Sequence, residues 1–262
     1  MEFVFLGNTY KVSEYTIDKS GRLSFACDKV AANLMVDLIT ATLYAKYDGV
    51  EYASASVEYG VITYATRQID KATGKSRVLL CDLLNYGAAA QIYNKYKTDN
   101  LVTKDFTAEQ LSGATKDDPK VESIKNAAYE VIDNATAEWK AVGLLLESAV
   151  TVRYKFQAED ITGLVAKFTA DGCEYEIPYT EFELVKGTTN QYYIYFKGLH
   201  AGQMRSEIHA KLYDKDGNLI SNTARYSIES YIAEKYNNTN ADLVALIKAM
   251  IKYGDSAYNF NN

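Results

Sequence analysis

The sequence predicts an α+β fold of two repeated lobes, each an antiparallel β-sandwich-like sheet followed by a helical pair. Three observations carry this expectation. Apolar and polar residues alternate along several short runs, as in Val150, Val152, Tyr154 and Phe156 against Thr151, Arg153 and Lys155, the pattern of a half-buried strand. Each series of such runs then gives way to apolar residues at helical period. The whole series occurs twice in the same order, and a repeat sets the architecture of a chain before anything else does.

Taken in order, Met1 to Leu6 read as an edge of a strand, with the natural protein continuing upstream. A second strand buries Ile39, Ala41 and Leu43 and shows Thr40, Thr42 and Tyr44. Asp48-Gly49 follows, a hairpin signal because both residues accept positive φ. A short helix is expected near 61–69. A longer one carries Leu79, Leu80, Leu83, Leu84, Gly87 and Ala90 on one face. The stretch 97–136 is polar. Within it, Thr107-Ala108-Glu109-Gln110 has capping-box form and starts one helical turn, and Lys116 to Lys120 form a loop.

The residues before Trp139 enter the second lobe as a strand. The alternating run at 150–156 comes next, then Ile194 and Phe196 against Tyr193, Tyr195 and Lys197, then Ile208, Ala210 and Leu212 against His209, Lys211 and Tyr213. Asp216-Gly217 is a second hairpin signal. A short helix near 227–236 precedes a long one that places Leu243, Leu246, Ile247, Met250, Ile251, Gly254 and Ala257 on one face. Gly inside a helix costs about 1 kcal/mol relative to Ala. Its recurrence at Gly87 and Gly254 predicts the close approach of another element at both places.

The repeat is read residue by residue. Leu43-Tyr44-Ala45-Lys46 and Asp48-Gly49 match Leu212-Tyr213-Asp214-Lys215 and Asp216-Gly217 at an offset near 168. Asn85-Tyr86-Gly87 and Ala90 match Lys252-Tyr253-Gly254 and Ala257 at an offset of 167, and Gly7-Asn8-Thr9-Tyr10 matches Gly172-Cys173-Glu174-Tyr175. This divides the chain into a first lobe at 1–105, a linker at 106–136 and a second lobe at 137–262. Trp139 to Phe168 has no counterpart in the first copy, so the first lobe is expected to be an N-terminally truncated repeat.

Composition narrows the function. A net charge of −6 opposes nucleic acid, which needs clustered Lys and Arg, and opposes an anionic membrane surface. No apolar run is long enough to cross a membrane. Cys27, Cys81 and Cys173 have no ligand spacing and are expected as free buried thiols. His200 and His209 have no partners at metal or triad spacing. Asp214-Lys215-Asp216-Gly217-Asn218 resembles the start of a calcium loop, but its twelfth position is Arg225, where a ligand Glu is required. No nucleophile elbow, phosphate loop or dinucleotide fingerprint is present. No cofactor or metal is expected, and no catalytic residue is assigned. An enzyme would need a cleft with paired carboxylates and one perturbed pKa.

The 23 tyrosines set against two prolines suit either a β-rich core or a binding surface, since Tyr offers an apolar ring and a polar tip. Tyr193 and Tyr195 project from one face of their strand. Tyr44 and Tyr213 are repeat-equivalent and outward by alternation. Trp139, the only Trp, lies off the Val142, Leu144, Leu146 face. Sugar rings rest their C–H groups on such rings while Asp, Asn, Gln, Lys and Arg take up the hydroxyls. A helix layer over the same face would make these tyrosines core instead.

The signatures Asn85-Tyr86-Gly87-Ala88-Ala89-Ala90-Gln91 and Lys252-Tyr253-Gly254-Asp255-Ser256-Ala257-Tyr258, with Tyr96 to Leu101 and Arg225 to Tyr231, resemble a tandem module of large secreted and surface proteins of gut clostridia. Some members of that group sit in the starch-adherence (amylosome) proteins of ruminococci, beside dockerins. The resemblance implies a two-lobed, non-catalytic module that binds starch or maltooligosaccharides in a groove of the lobes. It implies a secreted or cell-surface setting, and a monomer carried within a larger multi-domain protein. It assigns no binding residue. Trp139, Tyr193, Tyr195, Tyr44 and Tyr213 are candidates from the pattern alone. The alternative is a structural, adhesin or protein-interaction module of a bacterial surface protein.

Overall fold

The computed structural model describes residues 1–124, 130–146 and 150–262. The fold is mixed α+β, with antiparallel sheets and helices in two compact units, Met1–Thr115 and Lys116–Asn262.

The first unit opens with strands β1 (Glu2–Phe5) and β2 (Asn8–Lys11), followed by the short pair β3 (Thr16–Ile17) and β4 (Leu23–Ser24). After a 3-10 turn at Ala32–Leu34 come β5 (Ile39–Thr42), the ribbon of β6 (Tyr44–Tyr47) and β7 (Val50–Ala53), and β8 (Val57–Tyr59). Helices α1 (Val61–Gln68) and α2 (Gly74–Tyr93) close the unit. Its main sheet runs β2-β1-β5-β8. Leu6 and Gly7, at φ 49° and 79°, make the two-residue turn between β1 and β2, and Asp48 and Gly49, at 47° and 77°, make the one between β6 and β7. Positive φ at both central residues is what a type I′ hairpin requires.

The second unit contains β9 (Ala137–Leu146), β10 (Val150–Ala158), β11 (Val165–Ala170), β12 (Cys173–Pro178), β13 (Glu183–Leu184), β14 (Gln191–Phe196), β15 (Ile208–Tyr213) and β16 (Ala224–Tyr226), then α3 (Ile228–Lys235) and α4 (Ala241–Asn261). Two four-stranded sheets form, β13-β14-β10-β9 and β12-β11-β15-β16. Their facing sides hold the core. Phe168 of β11 stacks on Phe196 of β14 at 4.8 Å between ring centroids, and Tyr154 of β10 meets Phe168 at 5.2 Å. Ile194, Ile208, Ala210 and Leu212 are fully buried beside them. From Val152 to Ala158 of β10, and along β15, burial alternates as predicted; at the start of β10 it does not, since Thr151 is buried and Val150 only half-buried.

The order β2-β1-β5-β8 and the order β12-β11-β15-β16 follow the same path through the chain, each leading into a short helix and a long one. The reverse turns correspond as well: Asp171 and Gly172 repeat the positive φ pair of Leu6 and Gly7. Both helical glycines meet a methionine. A Cβ on Gly87 would lie 2.8 Å from Met35 Sδ and 3.3 Å from Ala32 O, and one on Gly254 would lie 2.8 Å from Met204 Sδ and 3.2 Å from Ala201 O. The close approach expected at both glycines is thus a 3-10 turn and its methionine. The Met35 carbonyl accepts from Ile62 N–H at the start of α1, and the Met204 carbonyl accepts from Glu229 N–H at the start of α3.

The polar segment read as a linker is docked on its two sides. Thr107 and Gln110 form the expected capping box: Thr107 N–H donates to Gln110 Oε1 at 2.9 Å and Gln110 N–H to Thr107 Oγ1 at 3.1 Å. Arg77 of α2 holds the turn that follows through Gln110 O at 2.8 Å, and Thr115 donates its N–H and its hydroxyl to the Asp82 carboxylate at 2.9 and 2.7 Å. In the second unit, Asp118 pairs with Lys248 and Lys252 of α4, and Ile124 N–H donates to Ser230 Oγ. Of the 106–136 segment, 125–129 lie outside the described residues.

Two expectations are corrected here. The cysteines are not all buried: Cys81 is, Cys27 is half-buried and Cys173 is exposed. Cys173 opens β12, an edge strand, immediately after a tight turn, so only one neighbouring strand covers it. Trp139 does not lie off the Val142 and Leu144 face. A bulge between Lys155 and Phe156 of β10 and their partners on β9 pairs Trp139 with Phe156 while Val142 pairs with Tyr154. The extra residue, Lys140, returns the odd-numbered Trp to the even-numbered, inward side.

Candidate functional site

The register of β10 on β14 decides which side chains meet on the outer face of the first sheet of the second unit. Arg153 lies opposite Tyr195 and Lys155 opposite Tyr193, and β13 places Glu183 opposite Tyr193. Long side chains also reach their diagonal neighbours across strands. Arg153 does so: its guanidinium sits over the Tyr193 ring at 4.6 Å, a cation–π contact that fixes the ring plane. Tyr195 reaches the other way and donates its hydroxyl to Glu183 Oε2 at 2.7 Å. The two tyrosine rings stand 6.2 Å apart at 47°. Both are half-buried.

On the far side of Arg153, β9 presents Gly143. A Cβ there would meet nothing within 4 Å, so the sheet surface is open beside the guanidinium. The surface is therefore a short row of Gly143, Arg153 and Tyr195, with Tyr193, Lys155 and Glu183 next to it. Partial burial, then the Glu183 carboxylate, push the Tyr195 hydroxyl up to about 12. At neutral pH it is a neutral donor. Such a face offers apolar ring, fixed cation and fixed anion within one side chain's length of each other. It can hold a molecule that is apolar on its flat sides and polar at its rim.

The other sequence candidates lie elsewhere. Trp139 faces the interior of the second unit, edge-on to Tyr154 at 5.6 Å and to Phe156 at 5.8 Å, and its indole N–H donates to Asn222 O at 2.8 Å. Tyr213 projects from the outer face of the opposite sheet, where Lys167 Nζ lies 5.2 Å from its ring. Lys167 also pairs with Glu176, and the cluster of Glu207, His209 and Arg225 lies at the other end of β15. Arg225 and then His209 hold the Glu207 carboxyl down to about 2, so it is a fixed anion at neutral pH. Tyr44 stands exposed at the start of the β6–β7 ribbon of the first unit. It lines a cleft of about 780 Å³ with Lys11, Tyr15, Phe25 and Glu51. Tyr193 and Tyr195 are thus the only two of the five that come together. Arg153, Glu183 and Gly143 went unassigned in the sequence, because only strand register makes them neighbours of the tyrosines.

Among the described residues no group of His, Cys, Asp and Glu could hold a metal ion, and no helix is long and apolar enough to cross a membrane. No family model matches the chain, and no curated protein or solved structure does so either.

Proposed function

We propose that the chain is a non-catalytic carbohydrate-binding module made of two copies of one lobe, and that its contact surface is the outer face of β10 and β14. The observation that carries this reading is the pairing of Tyr193 with Tyr195 beside Arg153 and Glu183. Two adjacent rings suit two successive glucose units, whose C–H faces are apolar. The guanidinium and the carboxylate suit the hydroxyls at the ring edges. The rings are already oriented by Arg153 and Glu183, which lowers the entropy lost on binding. The helix signatures that resemble ruminococcal starch-adherence modules favour starch and maltooligosaccharides as the ligand. They also favour a secreted or cell-surface setting within a larger multi-domain protein. Trp139, with its N–H bonded to Asn222, enters this reading as the brace of β9 rather than as a stacking surface. Tyr44, beside Tyr15 and Phe25 in its own cleft, and Tyr213 stand apart from this pair.

The test is affinity electrophoresis in native gels cast with amylopectin, dextran or xylan. Amylopectin alone is expected to retard the protein. Tyr193→Ala and Tyr195→Ala are each expected to weaken binding by more than about tenfold, the scale of truncating an aromatic anchor. Unchanged mobility in all three gels overturns the reading. A second reading, a protein-interaction or adhesin module, is favoured by the first unit, whose sheet leaves Val57, Tyr59 and Leu43 exposed.

A further inference from the structure

Among the described residues the apolar side of the first unit's sheet is only partly covered: Phe3 and Phe5 are buried and the segment after β4 brings Phe25 and Cys27 against it, but the side toward β8 stays open. In the second unit the corresponding side is covered by β9, β10 and β14. The contrast is residue by residue. Ala224, Tyr226 and Leu212 are 5%, 4% and 0% exposed, while their counterparts Val57, Tyr59 and Leu43 are 59%, 39% and 36% exposed. Ile208 and Ala210 are fully buried, while Ile39 and Ala41 are half-buried. Exposed apolar surface grouped on one face marks a place for a partner.

What covers the face in the second unit also says what is wanted in the first. There, β14 hydrogen-bonds to β13 on one side and to β10 on the other. In the first unit β4 pairs with β3, and no described strand takes its other edge. Met35 and Met204 stand at the same place against Gly87 and Gly254, and counting back from them sets Phe25 level with Ile194 and Cys27 level with Phe196. The floor is Phe3, Ile39 and Ala41. Phe25 and Cys27 form one wall and Tyr59 and Tyr64 lie along the rim, around a cleft of about 400 Å³ that shares Phe25 with the larger cleft at Tyr44.

We propose that this face of the first unit binds a β-hairpin that adds to the free edge of β4 and lays alternate aromatic and aliphatic side chains into the cleft. The occupant is a strand pair of the chemistry of β9 and β10, with bulky apolar residues at every second position in the manner of Val152, Tyr154 and Phe156. Strand addition of this kind gains main-chain hydrogen bonds along the edge and takes its specificity from pockets for alternate side chains. The inference rests on reading the two units as copies of one lobe.

The experiment titrates the full chain with a fluorescein-labelled peptide carrying the sequence of residues 137–158, read by anisotropy. A control peptide exchanges Thr151 with Val152, Arg153 with Tyr154 and Lys155 with Phe156, which keeps the composition and moves the apolar residues to the other face. Saturable binding of the first peptide is expected, at least about tenfold tighter than the control. The Leu23 amide, which points away from β3 to the free edge, should gain hydrogen-exchange protection. Ala41→Glu should abolish binding. Val57→Lys, at a site exposed enough to leave the fold intact, should weaken it. Equal binding of both peptides, no saturable binding, or protection confined to β14 overturns the proposal. The reading of the units as copies fails separately, if Gly87→Ala and Gly254→Ala have unlike effects on stability.

Discussion

Tyr154 is the largest fully buried side chain of the second unit's core, and its hydroxyl has no hydrogen-bond partner among the described residues. Burial holds its ionisation well above that of an ordinary tyrosine. An unpaired buried hydroxyl costs about 1–3 kcal/mol. Tyr154→Phe keeps the ring contacts with Trp139 and Phe168, so it is expected to raise the stability of the second unit by about 1 kcal/mol, measured by thermal denaturation. Glu207 makes the opposite case. Its carboxyl is depressed from an ordinary 4.5 to about 2, chiefly by Arg225. A depressed carboxyl contributes stability that is fully present above the unfolded value and is lost as pH falls through the folded one. Glu207→Gln is therefore expected to lower the melting temperature at pH 7, and the difference from wild type should close between about pH 4.5 and pH 2. A gap that stays constant over that range would remove the ion pair as its cause. At this scale the sequence was informative about the direction of side chains and silent about their neighbours. Alternation put Tyr193, Tyr195 and Tyr213 outward, but nothing in it said that Arg153 would cover Tyr193 or that Glu183 would take the Tyr195 hydroxyl. It misplaced Trp139, because one bulge residue shifts the parity of everything before it.

The helix pairs show how an element's role can be read from a residue that disfavours it. Gly87 and Gly254 weaken their helices, and each is retained where a turn and a methionine press against the helix backbone. Replacing either by Ala adds a methyl within 3 Å of a thioether sulfur. Overpacking of about 1–3 kcal/mol then exceeds the gain of about 1 kcal/mol in helix propensity. Both variants are expected to destabilise, and by similar amounts. The helices were legible because their apolar period is long and unbroken. So were the hairpin at Asp48-Gly49 and the capping box at Thr107, whose residue types admit few other conformations. The strands β3, β4 and β13, of two residues each, were not. A run that short has no period to detect, and its pairing comes from tertiary context.

At the scale of the whole molecule, each unit has its own core, and each contains a reporter the other lacks. Trp139 is the only tryptophan and belongs to the second unit; Cys81, fully buried in α2, belongs to the first. With Cys27 and Cys173 changed to Ser, Trp139 fluorescence follows the second unit and thiol labelling of Cys81 the first. Gly254→Ala is expected to shift the fluorescence transition and leave the labelling transition in place, and Gly87→Ala to do the reverse. Coincident shifts in both variants would mean that the units unfold as one. The α+β class and the order of elements were open to sequence reading, since both follow from local periodicity. The stacking of two sheets in the second unit was legible only as an expectation, because which faces meet depends on contacts between residues far apart in the chain.

The seats of Met35 and Met204 have a chemical consequence as well. Both thioethers are almost fully screened from water and lie against helix backbone with no spare room. Peroxide therefore reaches them only when a helix has lifted away. A sulfoxide formed at that moment carries a polar oxygen that the closed seat has no space to admit. Oxidative damage at these two sulfurs would accordingly act as a ratchet, letting the helix leave and barring its return.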